Sequence, residues 1–124
     1  MTIEIKVSIG ELVDKLVILT IKSFKITHEH KLKNVIKERD YLAKVLEAIE
    51  EKEKMRELCD ALIDVNEALW DAEDKLRIHE IENNFNKLFI DVARSIYKLN
   101  DKRAAIKRKI NELYESEFIE EKSY

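Results

Sequence analysis

The chain contains no proline, and only one glycine, Gly10, in 124 residues. These two residue types are the strongest punctuators of regular backbone. Their scarcity excludes a turn-rich architecture and leaves Asn, Ser, Thr and clustered charge to reverse the chain. A few long α-helices are the expected result. Cysteine is equally scarce, and Cys59 alone excludes an internal disulfide. A structural zinc site takes about four close ligands, which one cysteine and three scattered histidines do not supply. Long hydrophobic runs are also missing. The longest covers residues 16–19, and even residues 16–21 fall far short of the roughly 20 residues that span a bilayer. The start, Met1-Thr2-Ile3-Glu4, lacks the basic flank of a signal peptide. A soluble, cytoplasmic protein with no membrane partner is therefore expected.

What the chain does have is charge. Charged residues make up 40% and apolar residues 45%, with a net charge of −3. That balance favours neither nucleic acid nor an anionic membrane. The length fits one domain, residues 1–124, which buries about two-thirds of its extended-chain surface.

Residues 2–7 alternate, with Ile3, Ile5 and Val7 apolar and Glu4 and Lys6 polar, which predicts a short strand. Ser8 and Glu11 then fit a capping box, so a first helix is predicted over residues 9–26. Its centre is apolar on most faces, which places it deep in the fold. A β reading of that Ile- and Val-rich segment is the alternative. Residues 27–30 form the first turn, and a second helix covers 31–50. No apolar residue occurs in 50–54, so a turn is predicted there, with a continuous helix as the alternative. A third helix covers 54–81, with Leu58, Leu62, Val65, Leu69 and Leu76 facing inward. Asn83 ends it, because Asn tolerates left-handed backbone. A fourth covers 86–114, with a stripe at Phe89, Val92, Ile96, Leu99, Arg103, Ile106, Ile110 and Leu113. The fold class is all-α: a four-helix bundle with two long C-terminal helices and a short N-terminal strand. Phe118 and Ile119 suggest that the tail docks.

Ionisable groups occupy seam positions. Arg103 interrupts the fourth helix's stripe, and Glu73 sits on the apolar side of the third. In an antiparallel hairpin about Asn83, Glu73 or Asp74 comes level with Arg94, with Arg77 one turn away. Asp64 and Asn66 come level with Arg103. Buried charges persist when they are paired and hydrogen-bonded. Two polar layers follow, acting either as a network that fixes register or as a pocket for a small anion. In the pocket reading Arg94, Arg103 and Lys107 are the clamps.

Weaker signals surround this one. Glu11 with Asp14, and Asp71 with Asp74, are spaced to share a helix face, so carboxylates could hold Mg²⁺. His28 and His30 sit in a predicted turn, where histidines are ordinarily solvated, and His79 sits near a helix end. Residues 98–109 are basic, but the charge spreads around the helix and forms no single stripe, so nucleic acid is not expected as a partner. Trp70 and Tyr97 read as core aromatics, with a place in the lining of a ligand site as the alternative, and Cys59 reads as a small core residue.

Residues 7–16, then Val65-Asn66-Glu67-Ala68-Leu69-Trp70 with Glu73-Asp74, then residues 99–108 and the terminal Glu120-Glu121-Lys122-Ser123-Tyr124, form an ordered set of motifs. By them the chain resembles a family of short uncharacterised bacterial and phage proteins, a domain of unknown function (family 6165). The resemblance spans nearly the whole chain and implies that these segments act as one unit. It draws together Glu11, Asp14, Lys15, Asn66, Glu67, Glu73, Asp74, Asn100, Asp101, Arg103 and Lys107, and it brings no activity.

The leading functional expectation is a small accessory or binding protein that self-associates and takes a protein partner or a small anionic ligand. Asn66, Glu67, Arg77, Arg94, Asn100, Arg103 and Lys107 are the candidate ligand-binding residues. The alternative is a Mg²⁺-dependent enzyme acting on a nucleotide or related phosphate. Glu11, Asp14, Glu73 and Asp74 would hold its metal, and Arg103 with Lys107 would neutralise phosphate.

Overall fold

A computed structural model describes residues 1–115. The order is α1 (Ile9–Lys25), α2 (Glu29–Glu47), a 3-10 turn (Lys52–Met55), α3 (Arg56–Glu82) and α4 (Lys87–Leu113). The fold is all-helical, with four α-helices among the described residues. The predicted strand over residues 2–7 is absent: this segment has no regular structure and is exposed. A lone alternating segment needs a pairing edge, and the described residues contain no strand to provide one. Phe118 and Ile119 lie outside the described residues.

Each helix end has a local cause. The Ser8 hydroxyl accepts from the Glu11 backbone N–H at 3.1 Å, so α1 starts as the capping pattern predicts. Ser8→Ala is expected to lower stability by about 1 kcal/mol in a denaturant titration. At the start of α2, His28 takes the cap position and its Nδ1 accepts from the Lys31 N–H at 3.4 Å. The first turn is therefore shorter than predicted, and Glu29 and His30 belong to the helix. Glu51 adopts a left-handed φ of 57°. It ends any continuation of α2 and excludes the continuous-helix alternative. Asn83 stops α3 with a φ of 53°, and the Asn86 side chain caps α4 by accepting from the Phe89 N–H at 3.1 Å. Tyr114 ties the far ends together, its hydroxyl donating to the Glu51 carbonyl at 2.7 Å. Burial pushes the Tyr114 hydroxyl's pKa up, which keeps the donor protonated.

The core forms where α1, α3 and α4 meet. Val13, Val17 and Ile21 of α1 pack with Met55, Leu62, Val65 and Ile110. Helix α1 touches all three other helices, whereas α2 packs on α1 alone and buries none of its residues. The exposed Lys15–Glu38 ion pair at 3.1 Å links these two helices, and such a pair contributes about 1 kcal/mol at most. At about 1.5 Å per residue, the 27 residues of α3 and of α4 give a hairpin roughly 40 Å long, against about 25 Å for the 17 residues of α1. The hairpin tip outruns α1. Ile78, Ile81, Phe85 and Leu88 are exposed there, around an edge-to-face pair of Phe85 and Phe89 with ring centroids 5.1 Å apart.

Candidate functional site

Three helices converge on one buried carboxylate. Asp14, on the core side of α1, is 1% exposed. Arg103 of α4 grips it from the side, with Nε donating at 3.0 Å to Oδ1 and 3.2 Å to Oδ2, and Nη2 donating to Oδ2. From α3, the Asn66 amide donates to Asp14 Oδ1 at 3.0 Å and to the Leu62 carbonyl at 3.0 Å. Lys107 Nζ stands 3.9 Å from Asp14 Oδ2 and 2.8 Å from Glu11 Oε2. This paired fork geometry suits a guanidinium–carboxylate contact and meets the requirement that a buried charge be both paired and hydrogen-bonded.

The same face continues to the start of α1. The Gly10 N–H donates to Asn111 Oδ1 at 2.7 Å in a buried contact. A Cβ on Gly10 would stand 2.6 Å from the Lys107 carbonyl oxygen and 2.7 Å from Asn111 Oδ1. The sole glycine thus marks a close approach of α1 to α4 that leaves no room for a Cβ. Asn111 Nδ2 is buried with no hydrogen-bond partner. Asn100, Arg103, Lys107 and Asn111 recur at 3-4-4 spacing, so they form one polar stripe along α4, beside the apolar seam.

Beside this cluster lies a groove of about 490 Å³ between α1, α3 and α4. Such volumes are in the range of small-molecule sites, about 300–1,000 Å³. Ile18, Ile21, Leu69 and Trp70 form its apolar wall, and Lys22, Asn66, Glu73, Arg77, Asn100 and Arg103 supply its polar groups. Four of the seven residues expected to bind a ligand, Asn66, Arg77, Asn100 and Arg103, therefore share one groove.

A family model matches the chain over residues 1–124, and its description is a family of unknown function, DUF6165. The chain belongs to this family. No curated protein and no solved structure matches it.

This DUF6165 chain disposes of the remaining candidates differently from the sequence expectation. Arg103 takes its acid from α1, not from α3: the partner is Asp14, and Asp64 is exposed. Asn66 of α3 and Arg103 of α4 both bond Asp14, so α1 inserts its carboxylate between the two helices. The second expected layer does not form. Arg94, Glu73 and Asp74 are exposed, and Asp74 pairs instead with Arg77 at 3.7 Å, one turn along its own helix. Lys107 is buried against Glu11 and Asp14 instead of lining the groove. Glu67 is exposed. Tyr97 is also exposed, so it is not a core aromatic, whereas Trp70 packs on the core and lines the groove. Of the metal candidates, Glu11 and Asp14 come together but face Lys107 and Arg103. Among the described residues, no three His, Cys, Asp or Glu side chains group so as to hold a metal ion. His79 sits at the end of α3, its Nδ1 2.9 Å from the Asn84 carbonyl oxygen.

Three participants escaped the sequence expectation: Gly10, Lys22 and Asn111. The singularity of the glycine and the 3-4-4 polar spacing on α4 were the available signals for the first and last. Lys22 carried none, since a lysine near a helix C-terminus is ordinary.

Cys59 packs against the core in a partly buried position. Burial, then the nearby Asp60 carboxylate, pushes its thiol pKa up. The thiolate is the nucleophile, so the folded protein is expected to react with a disulfide reagent at pH 8 at least about tenfold more slowly than the urea-unfolded chain. Equal rates would show that the thiol is open and unperturbed.

Proposed function

We propose that this protein is a non-enzymatic binding module whose α1–α3–α4 groove takes a small anionic ligand. The convergence of Lys22, Arg77 and Arg103 from three helices on one groove with a tryptophan wall carries this reading. The Asp14 cluster serves as scaffold: it fixes Arg103 and Asn66, which would otherwise be free to swing. Pre-set polar groups lower the ordering cost of binding.

The chain has one tryptophan, and it lines the groove. Its fluorescence therefore reports occupancy directly. Titration with phosphate esters and dicarboxylates should give a saturable change with at least one of them. The same ligand, at about 100 times its dissociation constant, should add about 2.7 kcal/mol of stability. A flat response to the whole panel at millimolar concentration would remove the proposal.

The Mg²⁺-enzyme alternative gains nothing from the geometry, because the best-placed carboxylates already face cations. No helix is long and apolar enough to cross a membrane among the described residues, and we place the protein in the cytoplasm as part of the same proposal. Self-association is the second property we propose. Two helices of roughly 40 Å beside shorter ones leave apolar surface to cover, and the exposed apolar tip of the α3–α4 hairpin supports it, whereas seven residues of α1 are already buried. Sedimentation equilibrium at micromolar concentration tests it, and a monomer across that range would remove it.

A further inference from the structure

The groove has more character than a site for a bare anion. Its hydrogen-bonding groups can be assigned from the neighbours that hold them. Asp14 Oδ1 and the Leu62 carbonyl can only accept, and Asn66 Nδ2 lies 3.0 Å from each. Both N–H groups of Asn66 are therefore committed, and its Oδ1 is what it can offer to the groove. Asn100 is held the opposite way round. Its Oδ1 faces Arg103 Nη1 at 3.5 Å, a long contact, which leaves Nδ2 as the donor to offer. The pair thus presents one acceptor and one donor, both anchored to the same Asp14–Arg103 contact.

Three other features complete the site. Trp70, with Leu69 and Ile18, gives an apolar wall that a bare anion would leave unused. Lys22 and Arg77 bring positive charge from α1 and α3, and the Arg77–Asp74 pair is exposed, so it yields readily to a better anion. Glu73 adds a carboxylate acceptor suited to a hydroxyl. Arg103 is already engaged by Asp14, and Glu73 opposes added negative charge. The cationic capacity is therefore that of one phosphate, not of a chain of them.

We infer that the groove takes a nucleoside monophosphate, its base lying on Trp70 with a donor–acceptor edge on Asn66 and Asn100, and its phosphate at Lys22 and Arg77. This rests on the reading of the groove as an anion site, and narrows it. Stacking provides the largest gain over a plain sugar phosphate, because any base offers a flat face to an aromatic ring. Asn66 and Asn100 then rank the bases, because an unmatched polar group in a partly closed site is costly. Asp14 and Arg103 act as positioning residues.

Trp70 fluorescence tests this with three sets of probes: adenosine, guanosine, cytidine and uridine monophosphates; the four matching nucleosides; and ribose 5-phosphate. At least one monophosphate should quench saturably and bind about tenfold or more tighter than both ribose 5-phosphate and its own nucleoside. Asn100→Ala should weaken that monophosphate about tenfold and leave ribose 5-phosphate unchanged. Lys22→Gln, on a partly exposed side chain, should weaken both phosphates and leave the nucleoside unchanged. Ribose 5-phosphate binding as tightly as every monophosphate would overturn the inference while the anion reading stands. A nucleoside binding as tightly as its monophosphate would overturn the phosphate assignment. Silence from all nine probes, with the fold intact by circular dichroism, would overturn the inference and leave the anion reading to its wider panel.

Discussion

Asp14→Asn is expected to destabilise the protein by about 3–5 kcal/mol, the cost of leaving one partner of a buried ion pair uncompensated. The substitution preserves shape and removes only charge. Arg103 and Lys107 then share a buried region with one carboxylate fewer. Asn66, whose amide already donates to this position, meets a second amide. For a domain of this length the loss corresponds to a fall in thermal midpoint of roughly 10–20 °C. It is a large part of the few to fifteen or so kcal/mol that hold such a domain together. Denaturant titration checks it, and a loss below about 1 kcal/mol would mean that solvent reaches the carboxylate. The double variant Asp14→Leu with Arg103→Met should recover much of the loss, because a matched apolar pair removes both desolvation costs. That recovery would separate the two roles of the cluster: stability would return, and the positioning of the groove's asparagines would not.

Gly10→Ala is the second large effect, and its sign is the informative part. By propensity alone alanine is the better helical residue, by up to about 1 kcal/mol in a helix interior and less in the first turn of α1, where Gly10 lies. Here the new Cβ would stand 2.6 Å from a backbone carbonyl oxygen of the facing helix, and a carbonyl in a helix cannot rotate aside. Either α1 backs away from α4, or α4 bends. Both routes stretch the 2.7 Å contact from the Gly10 N–H to Asn111. Overpacking of this kind costs about 1–3 kcal/mol, and an unsatisfied buried polar group adds about 1–3 kcal/mol. A net loss of about 2–4 kcal/mol is expected, measured by denaturant titration. Unchanged or raised stability would show that the two helices can separate without penalty.

The helices were legible because they depend on local chemistry. Ser8 and Asn86 cap α1 and α4 through their own side chains, and Asn83 can take a left-handed backbone; each signal lies within a few residues of its effect. The N-terminal segment differs because alternation describes a strand's faces but not its neighbour, and the described residues contain no edge for it to pair with. The apolar stripe of α4 marks Arg103 as out of place, but its partner lies on α1 and not on the adjacent hairpin arm. A hairpin's register can be counted from its turn, whereas nothing local fixes the rotation of α1 about its axis. Asp14 therefore looked like half of an acidic pair when it was the counter-charge of a distant arginine. Trp70 shows a further limit. A tryptophan can pack on the core with one face and line a groove with the other, and composition does not separate the two.

The span of the contacts that close the fold has a consequence for how the chain is made. Gly10 meets Asn111 across 101 positions, and Asp14 meets Arg103 across 89. The α3–α4 hairpin needs only its own turn, and its pairing can form early. Helix α1 is synthesised first and must wait for the last helix to leave the ribosome before its carboxylate has a cation to meet. During that wait its apolar face has α2 alone for cover. Domains ordinarily fold as whole units during synthesis, and loop closure over such distances slows the final step. A nascent chain stalled before Arg103 would hold helices without the scaffold of the groove. The contacts that shape the groove are therefore among the last in this chain that can form.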